Sequence, residues 1–241
     1  MIATLVNITL RALLNRRRTL LLALIGVLLV LATVLYRLGA PSDAESLDVT
    51  RQLLGDFGLA VLLPLVAVIV GTAAIGSELD DGTIVYLLAK PIARWRIVVV
   101  KLLVAWIVVL ILVVPAVALA GLIGHPDTGL AVGYSLAAVF GALEYTAVFL
   151  ALSLVTSRAL VVGLAYVVVW EGIVAGLFAG TRVLSIRQHA LSVADAFGGE
   201  GAAAAELGVA VAIGVGIVVA LLAAALAVRR LERVELRGET A

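Results

Sequence analysis

The chain has 241 residues, of which 64% are hydrophobic and 14% charged, with a formal net charge of +1 and a mean hydropathy of +1.24. Soluble domains carry about 25% charge and about 45–50% apolar residues, so a soluble enzyme or binding module is excluded. Cysteine is absent, which removes disulfide scaffolds, iron–sulfur clusters, thiolate zinc sites and cysteine nucleophiles. What remains is a polytopic membrane protein.

Before the first long apolar run, Thr4, Asn7, Arg11, Asn15 and Arg18 share one helical face, and Ile2, Leu5, Ile8, Ala12 and Leu13 fill the other. That spacing predicts an N-terminal interfacial helix over residues 1–18, lying in the membrane surface. A hydrocarbon core about 30 Å thick takes about 20 apolar residues of helix to cross. Runs of that order fall at about 19–36, 57–77, 102–124, 128–157, 159–181 and 207–228, the fourth and fifth with one interior acid each, Glu144 and Glu171. The first follows a basic segment, as in a signal peptide, but it is long for one and no small-x-small site follows, so it is read as a retained span. Ala, Leu, Val and Ile fill the runs without a period of two, which favours helices over a β-barrel. The expected architecture is an all-α integral membrane protein: one transmembrane domain over residues 1–241, six transmembrane helices, and kinks at Pro64 and Pro115.

The segments between the runs differ in character. The first, 37–56, is polar and acidic, and reads as a loop. The second runs from Gly76 to Lys101 and carries two capping signals: Ser77 with Asp80, and Thr83 ahead of Ile84–Ala89, which Lys90 and Pro91 close. It predicts short cytoplasmic helices where a plain connection needs only about 2–8 residues. The last, about 182–206, is long and moderately apolar, and predicts re-entrant helices over Ala190–Phe197 that need protein cover for their backbone ends. Lys and Arg number thirteen on the amino end, second loop, fourth loop and carboxyl tail, against four on the alternate loops. That bias puts both termini in the cytoplasm.

Catalytic chemistry is missing. The only lysines, Lys90 and Lys101, are preceded by Ala89 and Val100, so no Gly-Lys-Ser/Thr phosphate-binding loop exists. There is no His-Glu-x-x-His pair, and no Asp lies inside a span. The chain reads as a non-catalytic membrane subunit with no metal site and no nucleic-acid partner.

The second loop reads Gly76-x-Glu78-x-x-x-Gly82-Thr83, then Leu87-Leu88-Ala89-x-Pro91-Ile92-x-Arg94 and Lys101. This closely resembles the first cytoplasmic loop of type-2 ABC transporter permeases, the membrane subunits of bacterial exporters whose ATPase is a separate chain. The resemblance implies an exporter of the bacterial cytoplasmic membrane with two permease chains, identical or different, and two ATPase subunits that hold the ATP and Mg. It implies that the ATPase contact falls on Glu78, Asp80, Asp81, Gly82, Thr83, Tyr86, Leu87 and Arg94.

Counted from Arg158 at the turn, Glu144 lies fourteen residues before and Glu171 thirteen after, which places both about 20 Å from the inner boundary at 1.5 Å per residue. An acid there must face protein or water. Two readings stand. Glu144, Tyr145, Trp170 and Glu171 line a translocation pathway, with spans four and five facing each other around a polar pocket, or each acid is a hydrogen-bonded packing group. Gly172, Gly176 and Gly180 recur at intervals of four and predict close packing of another helix. Two competing functions are a secondary transporter that uses Glu144 and Glu171 as proton carriers, and a membrane scaffold for a cytoplasmic partner.

Overall fold

A computed structural model describes residues 6, 9–10, 13, 16–39, 42–84, 93–199 and 201–238. Most of the expected interfacial helix, and the second half of the second loop with Tyr86 and Leu87, lie outside the described residues. The helices are α1 (Arg16–Leu38), α2 (Asp43–Gln52), α3 (Leu63–Asp80), α4 (Arg94–Gly124), α5 (Thr128–Val155), α6 (Ala159–Ala165), α7 (Ala175–Leu177), α8 (Ile186–Phe197) and α9 (Val209–Gly238). Among the described residues six helical stretches are long and apolar enough to cross a membrane: Thr19–Leu38, Glu45–Leu79, Arg94–Gly124, Thr128–Val155, Ala159–Leu177 and Val209–Arg233. No strand occurs among the described residues.

The second span is longer than its apolar run. α2 continues through a π-helical stretch, Leu53–Leu62, directly into α3, so most of the segment read as an acidic loop is helix. Ser42 and Glu45 form a capping box that starts it: Ser42 Oγ accepts from the Glu45 amide, and the Glu45 carboxylate accepts from the Ser42 amide. The wider π-helical turns end just before Pro64, which lacks an amide proton and cannot take up a helical bond.

The third and fourth spans are the long helices α4 and α5. The fifth span is broken. α6 passes into a second π-helical stretch, Tyr166–Val174, and the helix stops at Leu177, short of Thr181. A helix that ends among apolar groups must satisfy its last carbonyls locally. Thr181 Oγ1 donates to the carbonyls of Val174 and Phe178, and Arg182 donates to those of Ala175 and Gly176. Arg182 also pairs with Glu206, tying this turn to the approach of the last span.

The core is made by spans two, three and four. Leu59, Leu63, Val66, Ala67 and Val68 of the second, Ile97, Val98 and Val109 of the third, and Ala137, Ala138 and Phe149 of the fourth are fully buried. Small residues set their spacing. A Cβ at Gly71 would lie 3.1 Å from Phe149 Cβ, and one at Gly121 would lie 2.7 Å from the Ala131 Cα. Trp106 Nε1 donates to the Val139 carbonyl at 3.1 Å, joining spans three and four by a bond that apolar packing alone does not supply. Spans one, five and six pack around these three, with Leu22, Leu29 and Ala227 buried, and leave long rows of exposed apolar residues, among them Leu20, Leu21 and Leu24, Val161, Val168 and Val169, and Leu221 and Leu222.

α8 lies against the fourth span and runs antiparallel to it. Gly133 touches the backbone of Ala194 and Gly198, Gly141 meets Ala190 Cβ, and Glu144 meets His189. Its first residues therefore sit level with Glu144, sixteen residues from Thr128 and so about 24 Å along α5. It contains the helix expected over Ala190–Phe197 and begins one turn earlier, at Ile186. Ser185 starts it, its hydroxyl oxygen accepting from the Gln188 amide.

Candidate functional site

At the end of the bundle that carries Arg94, Arg96 and Arg158, α3 closes at Asp80. Asp81 caps it with its backbone amide on the carbonyls of Leu79 and Ser77. Gly82 follows at φ +66°, a conformation L side chains rarely adopt, so the turn out of the second span needs glycine there. Asp81, Gly82 and Thr83 are exposed, and Ile84 turns back into the core. Arg94 opens α4, and the Arg96 guanidinium lies 5.3 Å from the Trp95 ring centroid.

Glu78 behaves differently from its neighbours. Lys101, fully buried on the third span, donates to Glu78 Oε1 at 2.7 Å and to the Ala74 carbonyl at 2.7 Å. The glutamate is therefore engaged inside the chain. Beside it, a cavity of 490 Å³ between α3 and the turn into α6 is lined by Thr72, Ser77, Ser153, Thr156, Ala159 and Leu160 among others.

The second assembly lies deeper. Glu144 and Glu171 are both buried. They bond to the segment around α8 and not to each other, so the polar pocket expected between two facing acids is replaced by that segment. Glu144 Oε2 lies 2.9 Å from His189 Nδ1, and His189 Nε2 lies 2.8 Å from the Val183 carbonyl. Glu171 accepts from the Tyr166 hydroxyl at 3.0 Å, the Ser185 hydroxyl, and the Ile186 amide at 2.9 Å. A carboxylate meeting three donors at the buried start of a helix satisfies one of the amides that no helical carbonyl can reach. Tyr145 is fully buried and stacks on Phe149 at 5.8 Å, and Phe149 meets Tyr166 edge-on at 6.2 Å. Trp170 reaches the Leu184 carbonyl at 3.4 Å. The last span joins through Gly216, where a Cβ would lie 2.5 Å from Glu144 Oε1.

His189 and Ser185 carry this assembly, and neither stands out in the sequence. Ile186, His189, Ala190, Val193 and Ala194 do recur at helical spacing, which marks the helix. Nothing in that period says that His189 meets an acid forty-five positions earlier.

Gly172, Gly176 and Gly180 meet no helix of this chain among the described residues. Gly176 and Gly180 have open space where a Cβ would go, and Gly172 has only the Val167 carbonyl of its own turn. Among the described residues the fifth span packs by its other side, where Gly163 abuts Val68 and Phe149. Close-approach glycines inside the chain include Gly133 and Gly141 under α8, and Gly71 and Gly121 in the core.

At the opposite end a crevice of 610 Å³ opens between the first turns of the second span, α5 and α8. Arg187 pairs there with Asp56 at 2.6 Å and Arg51 with Asp48 at 3.3 Å. Among the described residues no three His, Asp or Glu side chains are placed to share a metal ion.

No curated protein matches the chain significantly. A family model described as ABC-2 family transporter protein matches residues 14–186, more than two thirds of the length. That stretch includes the capped exit of the second span, the Glu78–Lys101 pair and both buried acids, and it ends as α8 begins. A chain with six helices fit to cross a membrane, matched by that model over five of them, is a multi-pass membrane protein that belongs to the ABC-2 family of transporter proteins.

Proposed function

We propose that this membrane component of an ABC transporter is the permease subunit of an ATP-driven exporter in the cytoplasmic membrane. ATP and Mg are handled by a separate ATPase chain, because this sequence has no phosphate-binding loop. The observation that carries the reading is the exit of the second span. Asp81, Gly82 and Thr83 project from a capped helix end while Glu78, one turn earlier, is anchored to the third span. A partner that pushes on the exposed turn moves two spans of the core. The complex has two permease and two ATPase chains, and the bare Gly172–Gly176–Gly180 face of the fifth span is the surface on which a second permease fits. A pathway along Glu144, Tyr145, Trp170 and Glu171 requires α8 to leave its seat, since Glu144 meets His189 of α8 and Glu171 holds Ser185 and Ile186 at its start.

The test is co-purification with the ATPase encoded nearby, followed by ATP turnover in the reconstituted complex. Asp81→Lys reverses an exposed charge at the helix exit. It is expected to weaken ATPase binding at least tenfold, read by titration, while the chain still inserts. Unchanged affinity and turnover would remove the second loop from the contact.

Orientation gives a second expected outcome. With the arginine-rich end in the cytoplasm, a cysteine at exposed Ser42 labels from outside intact cells with an impermeant reagent, and one at exposed Asp81 labels only after lysis. The reverse pattern would invert the topology.

A further inference from the structure

Lys101 is the least expected charge in the molecule. It sits seven residues into α4, about 10 Å from Arg94 along the helix axis, and is 1% exposed. A lysine at that depth can ordinarily run its stem back to the nearest water and leave the ammonium wet. Here it turns sideways into α3. Its ammonium takes the Ala74 carbonyl and the Glu78 carboxylate, two points one helical turn apart. Glu78 Oε2 is buried and has no hydrogen-bond partner among the described residues, and Oε1 is held by Lys101. The cation also lies near the C-terminal end of α3, where the aligned carbonyls favour positive charge.

We propose that Lys101 and Glu78 form a brace that locks the two feet of the second loop together, so that displacement of the loop reaches spans two and three as one body. This makes both positioning residues and takes Glu78 out of the ATPase contact. The inference rests on the ATPase-coupled reading above, but its geometry does not. Each side chain acts only on the other's helix: Lys101 fixes where α3 ends, and α3's end sets where Asp81, Gly82 and Thr83 project.

The brace and a direct contact separate in mutants. If Glu78 touches the ATPase through its charge, Glu78→Gln weakens binding and Lys101→Met does not. If the pair is a brace, Gln keeps a hydrogen-bond acceptor for Lys101 and is mild, while Lys101→Met severs both bonds. The experiment is hydrogen exchange over residues 78–84 of the full chain in lipid discs, with ATPase affinity and ATP turnover of the complex measured in parallel. For Lys101→Met we expect amide exchange in 78–84 at least tenfold faster, affinity within twofold of wild type, and stimulation of ATP turnover reduced at least tenfold. Glu78→Gln should stay within threefold of wild type in all three.

Should Lys101→Met fail to insert with Glu78 left unpaired, the double variant Glu78→Gln/Lys101→Met removes both charges and is expected to show the same fast exchange. Wild-type exchange in whichever variant folds would overturn the brace, as would a loss of ATPase affinity matching that of Asp81→Lys. If no ATPase binds even the wild-type chain, the exporter reading fails, and the exchange measurement still decides the brace.

Discussion

Replacing Glu171 with Leu is expected to lower stability more than any other single change at the buried acids. The substitution leaves the Tyr166 hydroxyl, the Ser185 hydroxyl and the Ile186 amide without their acceptor at a site walled off from water. Each buried donor left unsatisfied costs about 1–3 kcal/mol, so the loss is about 3–6 kcal/mol even after partial relaxation. It falls on one place, the seat of α8's first turn. Glu171→Gln keeps one carbonyl oxygen for Tyr166 and Ile186, and its amide can donate to Ser185 Oγ once that hydroxyl rotates. The expected cost is about 1 kcal/mol. Thermal denaturation in lipid discs reads the difference, and limited proteolysis between residues 178 and 206 reads the release of α8. Equal melting for Glu171→Leu and wild type would mean that Glu171 does not anchor this segment. Glu144→Leu tests the other anchor. It strands His189, which keeps its bond to the Val183 carbonyl, so a smaller loss is expected than at Glu171.

Gly133→Ala is the second large expected effect, and it comes from one methyl group. The new Cβ would lie 2.5 Å from Gly198 Cα and 2.6 Å from the Ala194 carbonyl oxygen. Both are backbone atoms and cannot rotate aside, so α5 and α8 must separate. Overpacking of this kind costs about 1–3 kcal/mol, and here the separation also pulls His189 from Glu144. Gly176→Ala is the matched control. Among the described residues nothing beyond its own turn lies within 4 Å of the new methyl, and Ala is favoured over Gly in a helix by about 0.5–1 kcal/mol, so the monomer should melt at or slightly above the wild-type temperature. The larger Gly176→Leu then reports on what covers the fifth span. A loss of the permease dimer with unchanged monomer stability is expected if a second copy seats there. An intact dimer would move that interface to another face.

Much of this protein follows from apolar run length alone. Six helices cross because water is absent along some 20 residues of each, a constraint written into composition before any packing occurs. The capping box expected at Ser77 and Asp80 does not form: both lie in the last turns of α3, where the Ser77 hydroxyl donates to the Ala73 carbonyl, because the helix runs past the end of its apolar run and stops only before Gly82. The Ser42–Glu45 capping box was present in the sequence as Ser-Asp-Ala-Glu, and reading residues 37–56 as a loop missed it.

Interactions across the chain were not legible in the same way. Counting from Arg158 gives Glu144 and Glu171 a depth, but depth is a single coordinate, and the rotation of each helix and the course of residues 178–186 decide what a carboxylate meets. The glycines show the same limit. Gly172, Gly176 and Gly180 have the regular spacing, yet Gly133 and Gly141 have the neighbours, because a spacing marks a smooth face without naming what lies against it. Lys101 and Glu78 could each be read as a charge at a cytoplasmic boundary; only the packing of α3 on α4 turned them toward each other. Local chemistry and hydrophobic length, then, were set by the sequence alone, while the pairings of Glu78 with Lys101 and of Glu144 with His189 were decided by tertiary structure, because a buried charge takes its partner from whichever helix the packing brings within 3 Å.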